Sequence, residues 1–443
     1  MKAYSAPGKA LLAGGYLVLD PQYPSYVTAL SSRMHAVISE EESNTGDNNS
    51  TISIFSPQFE GEWEYTFPDK VYTKDLKEKK NRRNPFVEAT ISTVLAYIQP
   101  QDSFNIVIRI FSDPGYHSKS GAIPKVSSNN QKEFLFHGKP IDQVAKTGLG
   151  SSAGLVSVIS TALLSHFKKG QDIQSLKNII HNTAQIAHCY AQKKIGSGFD
   201  VAAAIFGSII YRRFDPKDID SLFADESYLT GESDHVKLRT LIDSEWDFTA
   251  KPVALPPKIR LLMGDIEGGS ETPKLVSKVH AWKKENVVES TKLYTDLNNA
   301  NKSLIDSLQK AQLAYTSDPN SYDTYLTGLT DDKVTKDGPF QPMIQSIGDI
   351  RVNLRKLTKF SGADVEPESQ TKLLDNCDQL PGVLGGVVPG AGGFDAICLL
   401  VTEDSVAKVI QNTTGEFSSV SWLDLREESE GIVAENPNDY DGL

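Results

Sequence analysis

Lys146-Thr147-Gly148-Leu149-Gly150-Ser151-Ser152-Ala153-Gly154 is a turn of small residues that runs directly into Leu155-Val156-Ser157-Val158-Ile159-Ser160-Thr161-Ala162-Leu163-Leu164. The second stretch is apolar and contains alanine, and it reads as a buried helix. A Gly-rich loop therefore opens a helix. Glycines let the backbone approach a ligand and turn its N–H groups inward, and the first helical turn adds unpaired donors and the positive end of the macrodipole. That combination suits a polyphosphate. Ser151 and Ser152 add hydroxyls for a phosphate oxygen or for a Mg2+ ion, which takes few protein ligands. An ordinary loop capped by serine has the same local composition, and the stretch alone does not separate the two readings.

The surrounding chain sets the bounds. At 443 residues it is long for one core, which predicts two domains. With 39% hydrophobic and 23% charged residues it has the composition of a globular protein. A net charge of -12 argues against nucleic acid or an anionic membrane as partner, and requires an enzyme for anionic substrates to gather its cations locally. The three cysteines, Cys189, Cys377 and Cys398, lack the spacing of a zinc site and fit a reducing compartment. With no apolar run of about 18 residues and no signal-peptide pattern, the expected location is the cytoplasm.

From the start, Lys2 to Ala6 reads as a short strand broken at Pro7-Gly8-Lys9, followed by the apolar Ala10-Leu11-Leu12-Ala13-Gly14-Gly15-Tyr16-Leu17-Val18-Leu19. Lys9, between two apolar stretches, either faces solvent on a turn or points into a polar site with a carboxylate or phosphate partner. Strands are expected at Tyr26 to Ser31, Met34 to Ser39, Thr51 to Phe55, Trp63 to Phe67 and Asn105 to Phe111. Lys77 to Arg83 reads as a solvated loop, Asn84-Pro85 caps a helix over Phe86 to Ile98, and Ser112 to Phe136 reads as a mobile insertion.

After the central loop a helix is predicted over Ile179 to Gln192. Gly196-Ser197-Gly198-Phe199-Asp200 then leads into Val201-Ala202-Ala203-Ala204. Asp200 caps that helix or stands at a site within reach of Lys9. His181 and His188 share a helix face with nothing nearby to complete a metal set, and read as packing or solvent-facing residues. Phe206 to Phe214 is a further expected strand, and residues 216–250 are expected to connect a domain of residues 1–215 to one of residues 251–443. In the second half Gly268-Gly269-Ser270-Glu271-Thr272 opens a helix near Pro273, a second candidate anion-binding terminus. Long helices are expected at Pro273 to Leu313 and Pro342 to Phe360. Val383 to Val388, the loop Pro389-Gly390-Ala391-Gly392-Gly393, Phe394 to Val401, a helix near Ser405 and a strand at Val420 to Leu425 complete a ferredoxin-like α+β outline.

Placed side by side, Pro7-Gly8-Lys9-Ala10-Leu11-Leu12-Ala13-Gly14-Gly15, Gly148-Leu149-Gly150-Ser151-Ser152-Ala153 and Pro389-Gly390-Ala391-Gly392-Gly393 resemble the three ordered motifs of the GHMP small-molecule kinases. Ala187-His188-Cys189-Tyr190-Ala191-Gln192 leading to Gly196 through Ala204, with Ala13 through Leu19, resembles the phosphomevalonate kinases of fungal type. The resemblance implies a two-domain α+β GHMP fold: an N-terminal mixed α/β domain with the phosphate loop, and a C-terminal ferredoxin-like domain. It implies ATP-dependent conversion of 5-phosphomevalonate to 5-diphosphomevalonate with Mg2+, on the way to isoprenoids and sterols. By the same resemblance Lys9 and Asp200 are the catalytic pair. Lys146, Gly148, Leu149, Gly150, Ser151, Ser152 and Ala153 hold ATP, with Ser151 or Ser152 on the metal. Tyr16, Lys146, Ser197, Ser270 and Gly392 face the acceptor. Several relatives carry an acidic metal ligand on the helix before the aspartate, where this chain has His188 to Gln192. The partners implied are small molecules, with no nucleic acid or membrane, and the chain is a monomer or homodimer.

A hydroxyl acceptor benefits from a base, whereas a phosphate monoester, with a second pKa near about 6, is already largely anionic at neutral pH. Asp200 is therefore expected to orient Lys9 and the metal shell, while Lys9, with Lys146 or other cations, offsets repulsion between two polyanions. Two alternatives stand beside this. One is a mevalonate kinase in which Asp200 is a true base, and the other is an inactive GHMP-fold ligand sensor, against which intact Lys9, Ser151 and Asp200 argue.

Overall fold

The computed structural model describes residues 1–41, 49–67, 76, 78–223, 232–266, 272–330, 338–412 and 414–443. In chain order the first half holds β1 (Lys2–Ala13), β2 (Ser25–Glu40), β3 (Ser50–Ser56), β4 (Gly61–Phe67), α1 (Pro85–Ile98), β5 (Asn105–Ser112), β6 (Ile123–Val126), β7 (Glu133–Phe136), α2 (Ser151–Phe167), α3 (Lys177–Gln192), α4 (Phe199–Phe206) and β8 (Ile209–Arg212). Helices α5 (Lys217–Phe223) and α6 (Glu232–Asp243) and strand β9 (Thr249–Pro252) follow. The second half holds β10 (Ile259–Ile266), α7 (Thr272–Glu285), α8 (Val287–Ser317), α9 (Pro319–Thr330), α10 (Gln341–Ser361), α11 (Glu368–Cys377), β11 (Val383–Val387), β12 (Ala396–Thr402), α12 (Val406–Ile410) and β13 (Val420–Leu423). The short strands β14 (Glu427–Glu428) and β15 (Val433–Glu435) come last.

Among the described residues the N-terminal sheet has nine strands, with the path β15-β1-β2-β5-β3-β4 and β8, β9 and β14 attached off it. Its inner face packs on α2 and α4, with α1 and α3 packed in turn on α2, and α2 is buried over nearly its whole length. Gly154 permits that contact, since a Cβ there would stand 3.1 Å from Met34 and 3.2 Å from the Tyr116 hydroxyl. The second sheet runs β11-β12-β10-β13, all antiparallel neighbours, which is the strand order of the expected ferredoxin-like unit.

Several expectations change. The sequence predicts a break at Pro7, but β1 continues through it. The register with β2 shifts between Pro7 and Gly8, and a bulge of this kind accommodates a proline without a ladder N–H. Lys9 therefore projects from a strand rather than a turn. The two strands expected between Tyr26 and Ser39 are one strand, β2. Ser112 to Phe136 is an ordered part of the fold, with Tyr116 and Phe134 fully buried and Phe134 stacked on Phe111 and Tyr440. One strand of this hairpin is exposed along its whole length and the other is four residues long, which leaves little pattern to read. The strand expected over Phe206 to Phe214 is confined to Ile209–Arg212, because α4 runs on to Phe206. The long helix expected from Pro273 is divided at Asn286. Residues 215–251 carry α5, α6 and β9, with α6 packed on α1 and α3 and β9 paired with β8. The chain's later residues return to the first sheet, where β14 pairs with β2 and β15 with β1.

Candidate active site

Two clefts meet between the halves. The smaller, about 320 Å³, is lined by Tyr116, Lys146, Gly150, Ser151 and Ser152 at the start of α2. The larger, about 630 Å³, is walled by β1, the Tyr16 turn, the 195–200 loop, α7 and the Gly390 loop. Lys9, Thr147, Gly148, Leu149, Phe199 and Asp200 line both.

The junction is built from short-range constraints. The Lys9 backbone N–H donates to Leu149 (3.2 Å) and its ammonium donates to the Gly148 carbonyl (2.7 Å), so β1 and the loop hold each other. Gly150 caps α2 at a φ of 82°, and a Cβ there would press on the Lys9 side chain at 3.1 Å. Asp200 sits in the first turn of α4, entered through Gly198 at a φ of 78°. Three side chains grip the loop before it. Gln185 donates to the Gly198 carbonyl (2.7 Å), Tyr211 to the Ser197 carbonyl (3.0 Å), and Arg213 to the carbonyls of Ile195 and Gly196. Asp200 is thereby held beside the Lys9 chain, with the Phe199 ring 5.6 Å from the ammonium. Burial pushes the Lys9 pKa down, and the Asp200 carboxylate partly offsets that by favouring the charged form.

His188, on α3, reaches the same place. Its Nε2 lies 3.1 Å from the Ser152 hydroxyl, 3.1 Å from the Gln192 amide nitrogen and 3.9 Å from Asp200. Since the amide nitrogen donates, Nε2 accepts and the ring is neutral, in keeping with burial pushing its pKa down. The Ser152 hydroxyl is thus engaged within the protein, whereas among the described residues the Ser151 hydroxyl has no partner.

The floor of the larger cleft is the Gly390 loop. Tyr16 donates its hydroxyl to the Ala391 carbonyl (2.9 Å), tying the N-terminal half to the C-terminal half. Tyr16 itself has a φ of 61° and a ψ of -37°, and the Leu17 N–H donates to the Gly15 carbonyl at 2.8 Å across it. This is a γ-turn of the rarer, strained hand, a conformation that persists only where its surroundings impose it.

Of the residues singled out from the sequence, Lys146, Gly148, Leu149, Gly150, Ser151 and Ser152 line the smaller cleft, and Tyr16, Ser197 and Gly392 the larger. Lys146 lines only the smaller. Ala153 is buried against the core and its side chain lines neither. Ser270 lies outside the described residues. The cations of the larger cleft, Lys9, Lys194 and Arg213, answer the requirement set by the acidic net charge.

Residues 132–208 match the GHMP kinases N terminal domain and residues 338–417 the GHMP kinases C terminal. The chain is similar to the phosphomevalonate kinase of Candida albicans, with 52% identity over all of both chains, and to that of Gibberella zeae, with 34% identity over 99% of this chain and 98% of the other. The chain belongs to the phosphomevalonate kinase family. The fold is also that of the Streptococcus pneumoniae phosphomevalonate kinase solved with phosphomevalonate and AMPPNP, with a TM-score of 0.62 and 17% identity over 97% of this chain and 100% of the other. Within this phosphomevalonate kinase fold, sequence reasoning missed Gln185, Tyr211 and Arg213, and read His188 as a packing or solvent-facing residue. The departure noted at His188 to Gln192 was the one signal that pointed there.

Proposed function

We infer that the protein transfers the γ-phosphoryl group of ATP to 5-phosphomevalonate, giving 5-diphosphomevalonate and ADP in the mevalonate pathway. The observation that carries this reading is the meeting of two clefts at Lys9 and Asp200: a helix N-terminus with a Gly-rich loop on one side, and a larger, cation-bearing cleft on the other. In a coupled assay of ADP release, phosphomevalonate should support turnover and mevalonate should not. Faster turnover with mevalonate would move the assignment to a hydroxyl acceptor, and no ADP with either would leave a ligand sensor.

In this reading the loop N–H groups and the start of α2 hold the donor phosphates. Lys9, anchored on the Gly148 carbonyl, faces the attacking oxygen and neutralises charge between donor and acceptor. Asp200 keeps Lys9 protonated and placed; the acceptor, already anionic, has little need of a base.

The donor set fits Mg2+, which prefers oxygen ligands and retains waters and phosphate oxygens. Ser151 and Asp200 share the smaller cleft, and these two would hold the ion, while His188 keeps Ser152 turned aside. When bound, the ion supplies positive charge to the phosphates. Ser151→Ala is accordingly expected to raise the Mg2+ concentration for half-maximal activity by about tenfold, and Ser152→Ala to leave it nearly unchanged, the scale being that of one lost charge-assisted contact. A Mg2+ titration of both variants that moved only Ser152→Ala would reverse the assignment.

A further inference from the structure

Arg213 is the least expected cation in the molecule. It is 5% exposed, yet among the described residues it has no ion pair. Its guanidinium donates to the carbonyls of Leu19 (2.6 Å), Ile195 (3.3 Å) and Gly196, while its Nε–H is buried without an acceptor. The two carboxylates that act on it through space are engaged elsewhere. Asp20 accepts from the Gln22 N–H and faces Lys283 at 3.8 Å, and Asp215 accepts from the Lys217 N–H. A buried charge whose direct contacts are all neutral carbonyls is costly to keep, and an arriving anion would complete it.

Its place in the site says which anion. The acceptor carries a phosphate at one end and a carboxylate at the other. The phosphate must stand where the two clefts meet, at Lys9, Gly148 and Asp200, so the rest of the acceptor extends into the larger cleft. Arg213 lines the larger cleft and not the smaller. Lys194 also lines it but is exposed and solvated, and so discriminates less. His280, from α7 of the other half, lines the same cleft and lies within electrostatic range of Arg213.

We propose that Arg213 binds the carboxylate end of the acceptor and so selects a phosphorylated acid over a phosphorylated alcohol or amide of the same shape. This rests on the phosphoryl-transfer reading above. The carboxylate supplies the counter-charge that the fold withholds, and the same guanidinium, by gripping Leu19 and Gly196, couples acceptor binding to the loop that carries Asp200.

The test compares phosphomevalonate with its C1 carboxamide, which keeps the phosphate and the shape. The wild-type enzyme should favour the acid in kcat/KM by roughly 30-fold, the scale of a lost hydrogen-bonded charge contact. In Arg213→Gln that ratio should fall toward one, through a raised KM for the acid, with KM for ATP unchanged. A parallel loss with both acceptors and an intact ratio would show that Arg213 only staples Leu19 to Gly196, and would overturn the proposal. Should Arg213→Gln fail to fold, the wild-type protein still decides. The 15N resonance of Arg213 Nε should shift on adding phosphomevalonate and stay in place with 3-methylbut-3-enyl phosphate, which lacks the carboxylate; equal shifts, or none, would overturn it. Turnover of acid and amide at equal rates by the wild type would sink this inference alone, whereas no turnover of phosphomevalonate would sink the phosphotransfer reading and the inference with it.

Discussion

Lys9→Met is expected to lower kcat by roughly 10²- to 10³-fold, the loss that follows removal of one preorganised charge from a transition state, with a smaller change in KM for ATP. The reasoning runs from the junction of the clefts, where the ammonium is anchored on the Gly148 carbonyl at 2.7 Å and a second anion must approach an anionic donor. Asp200→Asn is expected to cost less, about tenfold, because it leaves the Lys9 charge in place and keeps a side-chain oxygen for the ion while loosening the placement of both. Were Asp200 the base for a hydroxyl, its loss would cost about 10²- to 10⁴-fold and the acidic limb of the pH profile would vanish. The pH dependence carries a further sign. Burial holds the Lys9 pKa below the ordinary lysine value and Asp200 raises it again, so the active ammonium is lost as pH rises. Profiles of kcat/KM, which report the free enzyme, should show an alkaline limb in the wild type that moves to lower pH in Asp200→Asn and disappears in Lys9→Met. An unmoved limb in both variants would contradict the assignment.

Gly392→Ala is expected to be the most damaging single methyl in the site. Gly392 has a φ of 76°, and a Cβ added there would stand 2.0 Å from the Val365 carbonyl oxygen. That carbonyl is fixed, since it accepts the Gly393 N–H at 3.1 Å. The left-handed conformation costs an alanine about 1–2 kcal/mol and the clash a further 1–3 kcal/mol, so stability should fall by roughly 2–5 kcal/mol. Activity should fall with it, because the same loop receives the Tyr16 hydroxyl. Gly390→Ala is the control. Its φ is 66° but nothing lies within 4 Å of the added carbon, so only the conformational cost of about 1–2 kcal/mol applies. Melting temperatures of the two variants should separate clearly, and equal values would mean that the Val365 contact yields.

What could be read from the chain without its structure follows physical range. The three glycine-containing motifs were readable because most of their glycines answer a local demand, a positive φ at Gly14, Gly150, Gly390, Gly392 and Gly393 or a close approach at Gly8 and Gly15. Lys9 stood out as a cation between two apolar stretches and Asp200 as a carboxylate just after Gly-Ser-Gly, but each had a structural reading beside it and their pairing came from the family resemblance. The ferredoxin-like order in the second half followed from alternating apolar runs and turns. Arg213, Gln185 and Tyr211 were not readable, because a polar residue in a strand or helix looks the same whether it meets water or a carbonyl far along the chain. Pro7 misled for a similar reason: the bulge that accommodates it belongs to its pairing with Arg33. The pairings of Glu427–Glu428 and Val433–Glu435 with the first two strands span about four hundred residues, and no local pattern encodes a partner at that distance.

Those two late strands fix when the first sheet can be completed. A ribosome releases the glycine loop, its helix and most of the first sheet long before residue 435 appears, and at about 5–20 residues per second the delay is tens of seconds. Throughout it Ala3, Tyr4 and Ser5 present an open edge, the kind of surface that pairs with other chains. The first sheet is therefore finished last although it is made first.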